Sequence, residues 1–163
     1  MKQLIIILLF IPLVSFGQIT INTPAGYSTI NSNEKGVLYA AQKIDDGIIM
    51  SSFNLKENDD WAFSYMTNKE YIENQSNSNE IENNYKNFFE GFKILMKKDF
   101  YFKSVGNTYM LVFSFNQDGI EVVATIFQFI KNNKLYTASG SSVKSIFRES
   151  YNDYLDIIES IKF

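Results

Sequence analysis

Alternation of apolar and polar residues dominates this chain, and it gives way to a three-to-four spacing in two stretches. The alternating stretches predict strands over residues 37–43 and 48–55, joined by Asp45-Asp46-Gly47. An Asp-Gly pair is a hairpin signal because both residues tolerate positive φ. Four more strands are predicted over residues 100–105, 108–116, 120–130 and 134–140, separated by Gly106-Asn107, Asp118-Gly119 and Asn132-Asn133. Turn chemistry of this kind makes them an antiparallel meander. In the second of these strands Tyr109, Leu111, Phe113 and Phe115 share one face, yet Met110 and Val112 occupy the other. A sheet with one wet face alternates more cleanly, so both faces are expected to be covered at least in part.

The helical spacing appears first in Ile81, Tyr85, Phe88, Phe92 and Leu95, widened by Phe89 and Met96. It predicts one long helix over residues 80–97, with Lys97 and Lys98 at the end where the helix dipole favours positive charge. Phe147, Tyr151, Tyr154, Leu155 and Ile158 predict a second helix over residues 145–159, after which Ile161 and Phe163 fold back on the core. Residues 74–79, Asn-Gln-Ser-Asn-Ser-Asn, read as a surface loop. The segment between these features stays open. Trp61, Phe63 and Tyr65 alternate like a strand, while Asp59 or Asp60 is equally placed to cap a short helix.

Residues 1–17 have the layout of a cleaved export signal. Lys2 supplies the charged start, residues 4–14 the apolar middle, and Ser15-Phe16-Gly17 the small-residue exit before a break between Gly17 and Gln18. The apolar run is shorter than the roughly 20 residues of a spanning helix. The mature chain is therefore expected to begin at Gln18, to carry no membrane span and to work in the periplasm or outside the cell. Position 18 is Gln and the chain contains no Cys, so a cysteine-linked lipid anchor is not expected.

Cleavage leaves residues 18–163, a single domain of ordinary size. It removes Lys2 alone among the charges, so the mature chain has 14 basic and 18 acidic residues. Arg148 is the one arginine. An acidic chain this poor in Arg does not suit nucleic acid or an anionic membrane surface. Of the fifteen Phe in the sequence, all but Phe10 and Phe16 remain, and with ten Tyr and one Trp they supply a core without disulfides. The chain has no His. That removes the usual general base and the His-paired nucleophiles, and with Cys also missing, the usual ligands of zinc, copper and haem. No cofactor is expected.

The order of elements, with the "NNKLYTAS" hairpin at residues 132–139 and the terminal "IIESIKF" at residues 157–163, resembles the PsbP-like α/β/α sandwich. That family includes the photosynthetic PsbP proteins, a nuclear Ran-binding factor and many small bacterial proteins. The resemblance covers roughly residues 37–163. It implies an α+β fold, an antiparallel sheet flanked by helices, and a non-enzymatic accessory or binding role. Neither a photosystem role nor Ran binding transfers: no matching site or histidine is present, and an exported protein would not meet a nuclear partner. A cystatin-like or NTF-like cone uses similar pieces and is the alternative fold.

Asp45-Asp46 and Asp59-Asp60 are the dense carboxylate pairs. Neighbours on a strand point to opposite faces, so neither pair makes a hydrolytic site by itself. Turn chemistry explains the first. The second, with Glu57 and Asn58, offers oxygen ligands for calcium but lacks the EF-hand spacing and glycine. Residues 139–142, Ser-Gly-Ser-Ser, read as a capping segment ahead of the last helix. Trp61 is expected in the core with its N–H satisfied, and contact with a partner or ligand is its alternative role. The reading is an exported, non-catalytic binding or accessory protein of the cell envelope. Its partner is a protein or an apolar small ligand held between sheet and helix. An immunity-type inhibitor of a secreted toxin is the alternative. A carboxylate hydrolase, the remaining reading, needs opposed carboxylates in a deep cleft.

Overall fold

A computed structural model describes residues 19–163; the expected export signal and the expected break between Gly17 and Gln18 lie outside the described residues. The strands are β1 (Ser28–Thr29), β2 (Val37–Asp45), β3 (Ile48–Asn58), β4 (Lys93–Phe102), β5 (Gly106–Gln117), β6 (Ile120–Lys131) and β7 (Lys134–Val143). The helices are α1 (Asn68–Asn77), α2 (Glu80–Phe88) and α3 (Phe147–Glu159), with short 3-10 turns at Trp61–Tyr65 and Lys144–Ile146. All the strands join one antiparallel sheet in the order β1-β2-β3-β7-β6-β5-β4. The hairpin turns follow the sequence reading. Asp46, Gly47, Asp118, Gly119, Asn132 and Asn133 all have positive φ, as tight primed turns require.

Helix α3 packs on one face of the sheet. It buries Tyr154, Ile157 and Ile158 against Phe53, Leu55, Phe127 and Ala138, and Ile161 joins them from beyond the helix end. Thr20 pairs with Lys162 and holds the start of the described chain beside its end. On the opposite face α1 lies over β5 and β6, where Tyr71 and Ile72 meet Tyr109, Leu111 and Ile130. Asn68 clamps the start of α1: its Oδ1 accepts from the Ile130 amide at 2.7 Å and its Nδ2 donates to the Asn107 carbonyl at 2.8 Å. Burial on both faces explains why β5 and β6 do not alternate cleanly. Helices on both faces also separate this sandwich from the single-faced cone considered above.

Several expected elements differ. The long helix over residues 80–97 is α2 alone, ending at Phe88; residues 93–97 belong to β4. The helical spacing of Phe92 and Leu95 arises because β4 carries a bulge between Ile94 and Met96, which shifts its alternation by one residue. Lys97 and Lys98 therefore sit mid-strand instead of at a helix end. The strand expected over residues 100–105 ends at Phe102, and the turn is Lys103-Ser104-Val105. Residues 74–77 of the expected loop are the last turn of α1. Its start explains how a polar stretch stays helical: Thr67 and Glu70 form a reciprocal capping box. Asp60 caps the 3-10 turn by accepting from the Ala62 amide at 3.0 Å, so the helical option for that segment holds. Residues 139–142 cap nothing and lie within β7. The reason for Gly140 is packing: a Cβ there would stand 2.5 Å from the ring of Tyr154.

Candidate functional site

The helices of the second face cover β5 and β6 and leave β3 and β7 open. On that open face the register sets Ser52 beside Ser141, Asn54 beside Ser139, and Lys56 beside Thr137. The row continues outward to Gln42 on β2 and Gln128 on β6. Ser52 and Ser141 share a hydrogen bond of 2.9 Å. Short hydroxyl and amide side chains thus pave the two central strands, where a buried sheet would carry branched apolar residues.

Helix α2 walls this floor. Tyr85 stacks on Phe113 with ring centroids 5.1 Å apart, and Phe89 lies 4.3 Å from Phe115. Between wall and floor is a cavity of about 220 Å³ lined by Ser52, Asn54, Tyr85, Phe89, Ser139 and Ser141 among others. It carries no charged residue. Through Ser52 and Ser141 it joins a second cavity of about 330 Å³ that ends in Ile48, Ile49, Ile120 and Val143. Through Tyr85 it joins a third of about 610 Å³ bounded by Lys35, Lys56, Glu57 and Asp59. The three adjoining cavities make a groove with an isoleucine-rich end that also carries Asp118, an uncharged middle and a charged end.

The middle of the groove is lined by neutral hydroxyl, amide and aromatic side chains. Burial pushes the Tyr85 hydroxyl above its ordinary range, which keeps it a neutral donor. At the charged end Glu57 accepts from Lys134 at 2.8 Å and from the Tyr136 hydroxyl at 3.4 Å. Asp59 is two positions along the chain from Glu57, so the two do not stand across the groove from one another. Among the described residues no group of three or more His, Cys, Asp and Glu is placed to hold a metal. Asp45 ends β2 and Asp46 begins the β2–β3 turn.

The wall is attached by one buried polar contact. Glu82 is the buried residue of α2, 5% exposed. Its Oε1 lies 2.6 Å from the Lys97 ammonium, which also donates to the Ser78 carbonyl at 2.7 Å. The other Glu82 oxygen and the neighbouring buried Tyr109 hydroxyl have no hydrogen-bond partner among the described residues. Burial first, and the negative charge of Glu82 next, push the Tyr109 hydroxyl well above its ordinary range.

Trp61 is not a core residue. It is 75% exposed, and its ring lies 6.2 Å from that of Tyr65, itself 83% exposed. The 3-10 turn that carries both buries none of its residues. The groove itself was missed in the sequence. Its signal was there in the polar set Thr137, Ser139 and Ser141, which alternates with the buried set Tyr136, Ala138 and Ser142 along β7. Reading residues 139–142 as a cap hid that alternation.

No family model matches the chain, and no curated protein matches it significantly. Solved structures do. LpqN of Mycobacterium tuberculosis, a protein involved in cell envelope biogenesis, superposes with a TM-score of 0.62 at 9% identity, covering 88% of this chain and 82% of its own. Cyanobacterial PsbP from Synechocystis superposes at 0.51 with 10% identity, covering 91% and 94%. A Pseudomonas aeruginosa protein of unknown function, called a putative regulator, superposes at 0.51 with 11% identity, covering 90% and 85%. At such identities the likeness is one of fold, and the chain has the PsbP-like α/β/α sandwich.

Proposed function

We propose that this is an exported, non-catalytic binding protein of the cell envelope that holds an elongated, uncharged and largely apolar small ligand between α2 and the β3–β7 face. One observation carries the reading: an uncharged cavity lies between Tyr85 and Phe89 and a floor of hydroxyls and amides, and it shares lining residues with a cavity on either side. Pockets of this make-up, apolar walls with a few polar groups, are the ordinary form of a small-molecule site. The envelope role of LpqN supports the setting, and the leader-like residues 1–17 support export. Binding of the neutral dye Nile red, followed by its fluorescence and displaced by a long-chain alcohol, tests the reading. Phe89→Ala should weaken dye binding about tenfold, the worth of one aromatic contact. Unchanged binding in that variant would remove the groove from consideration.

A second reading rests on Trp61 and Tyr65. Exposed Trp and Tyr side chains are the residue types that anchor protein interfaces. An immunity-type inhibitor would use them to seal a secreted toxin. Trp61→Ala should shift the melting temperature by no more than about 2 °C, because an exposed side chain contributes little to stability. The same variant should lose protection when co-expressed with a toxin encoded beside it. Protection that survives the substitution would exclude Trp61 as the anchor.

A further inference from the structure

We propose that the outer edge of β4 is a docking strand for an acidic, extended segment of a partner protein, which joins the sheet as one more strand. β4 hydrogen-bonds to β5 on one side and, among the described residues, to no strand on the other. It is 10 residues long, whereas β1 at the opposite edge of the sheet has 2. A long bare edge offers a row of backbone donors and acceptors to any strand that fits. A run of exposed apolar side chains adds a second invitation. Ile94, Leu95 and Met96 follow one another with 42%, 48% and 40% of their surface exposed, and Tyr101 is 66% exposed. Edges that must stay single do not carry such a run.

Charge selects the occupant. Lys93 and Lys98 are exposed on the strand, and neither ammonium has a carboxylate partner among the described residues; just beyond the strand, the Lys103 amide donates to the Glu159 carboxylate at 3.0 Å. The Lys98 ammonium rests 5.3 Å from the centre of the Phe100 ring. Lys97 is committed to Glu82, and Asp99 accepts from the Ser76 hydroxyl at 2.9 Å. The edge is therefore apolar and positive. A second copy suits it poorly. Two-fold antiparallel pairing about the middle of the strand sets Lys98 opposite Lys98 of the other copy, or Lys97 opposite Lys97, and like charges directly opposite are destabilising. A segment alternating carboxylates with apolar side chains satisfies both the lysines and the isoleucine–leucine–methionine run. In such strand addition, main-chain hydrogen bonds give affinity and the alternate side chains give specificity.

The test uses two short synthetic peptides, one alternating valine with glutamate and one alternating valine with lysine, added to the protein as its host exports it. Amide hydrogen exchange is read residue by residue. The glutamate peptide should slow exchange in β4 about tenfold or more, an effect that weakens as salt rises. The lysine peptide should not. Lys93→Glu together with Lys98→Glu should reverse the preference, and because both side chains are exposed the melting temperature should hold. Equal response to the two peptides, protection elsewhere than β4, or dimerisation through β4 without any peptide would each overturn the proposal.

Discussion

Gly140→Ala should destabilise the protein by about 3 kcal/mol, and Gly140→Val should prevent folding. Phe53, Thr125 and Tyr154 surround Gly140 on three sides. A Cβ at this position would meet Cε2, Cδ2 and Cζ of Tyr154 at 2.5, 2.6 and 2.7 Å. The ring has no room to retreat, since Tyr154 is fully buried and its hydroxyl shares a 2.7 Å hydrogen bond with Ser51. Ser51 in turn bonds the Tyr27 hydroxyl at 2.6 Å. Alanine in place of glycine would otherwise favour a strand, so the clash must outweigh a gain of about 0.5 kcal/mol or more. For a domain of this size about 3 kcal/mol lowers the melting temperature by roughly 6–12 °C. Urea denaturation of the double variant gives the decisive comparison. Once Tyr154→Ala has removed the ring, at about 3–5 kcal/mol, adding Gly140→Ala should cost almost nothing more. Full additivity would show that the strain lies elsewhere.

Lys97→Met should free α2 from the sheet while leaving most of the molecule folded. The substitution strands the Glu82 carboxylate, and breaking a buried pair in this way costs about 3–5 kcal/mol when the charge has nowhere to go. Here it has somewhere to go. Glu82 is the buried residue of α2, so swinging this short helix outward returns the charge to water at the expense of the Tyr85 and Phe89 stacking. The global penalty is capped by that docking energy. Hydrogen exchange in residues 80–88 should rise about a hundredfold or more while the core strands change little. Glu82→Leu added to Lys97→Met should restore protection, because an apolar pair replaces the ionic one without a stranded charge. If the single variant melts the whole sheet, α2 is part of the core and not an attached wall.

The sequence disclosed the hairpins and the last helix and misplaced the boundary between α2 and β4. The reasons are physical. Turn positions need backbone conformations that few residues accept, so Asp-Gly and Asn-Asn marked them directly. Tyr154, Leu155 and Ile158 repeat at helical spacing because α3 has a single buried stripe. The error over residues 89–97 came from a bulge, which changes strand parity and imitates a helical period for two turns. Trp61 could not be placed because its exposure depends on what the 3-10 turn packs against, and it packs against little. The groove floor could not be seen at all. It consists of residues about ninety positions apart in the chain, and only the β3–β7 register brings them side by side.

That register also governs how the molecule comes together and apart. β4 to β7 form consecutive hairpins, and β2 with β3 form another; local pairings of this kind are the fast ones. Joining β3 to β7 spans 89 residues, as Ser52 and Ser141 mark. Loop closure over such a distance is slow and comes late. The groove floor lies across this seam, with Ser52 and Asn54 on one side and Ser139 and Ser141 on the other. An occupant that touches both sides must leave before the two halves separate. Occupancy would then act as a clasp on a protein without disulfides, prolonging the lifetime of the folded chain more than it reshapes it.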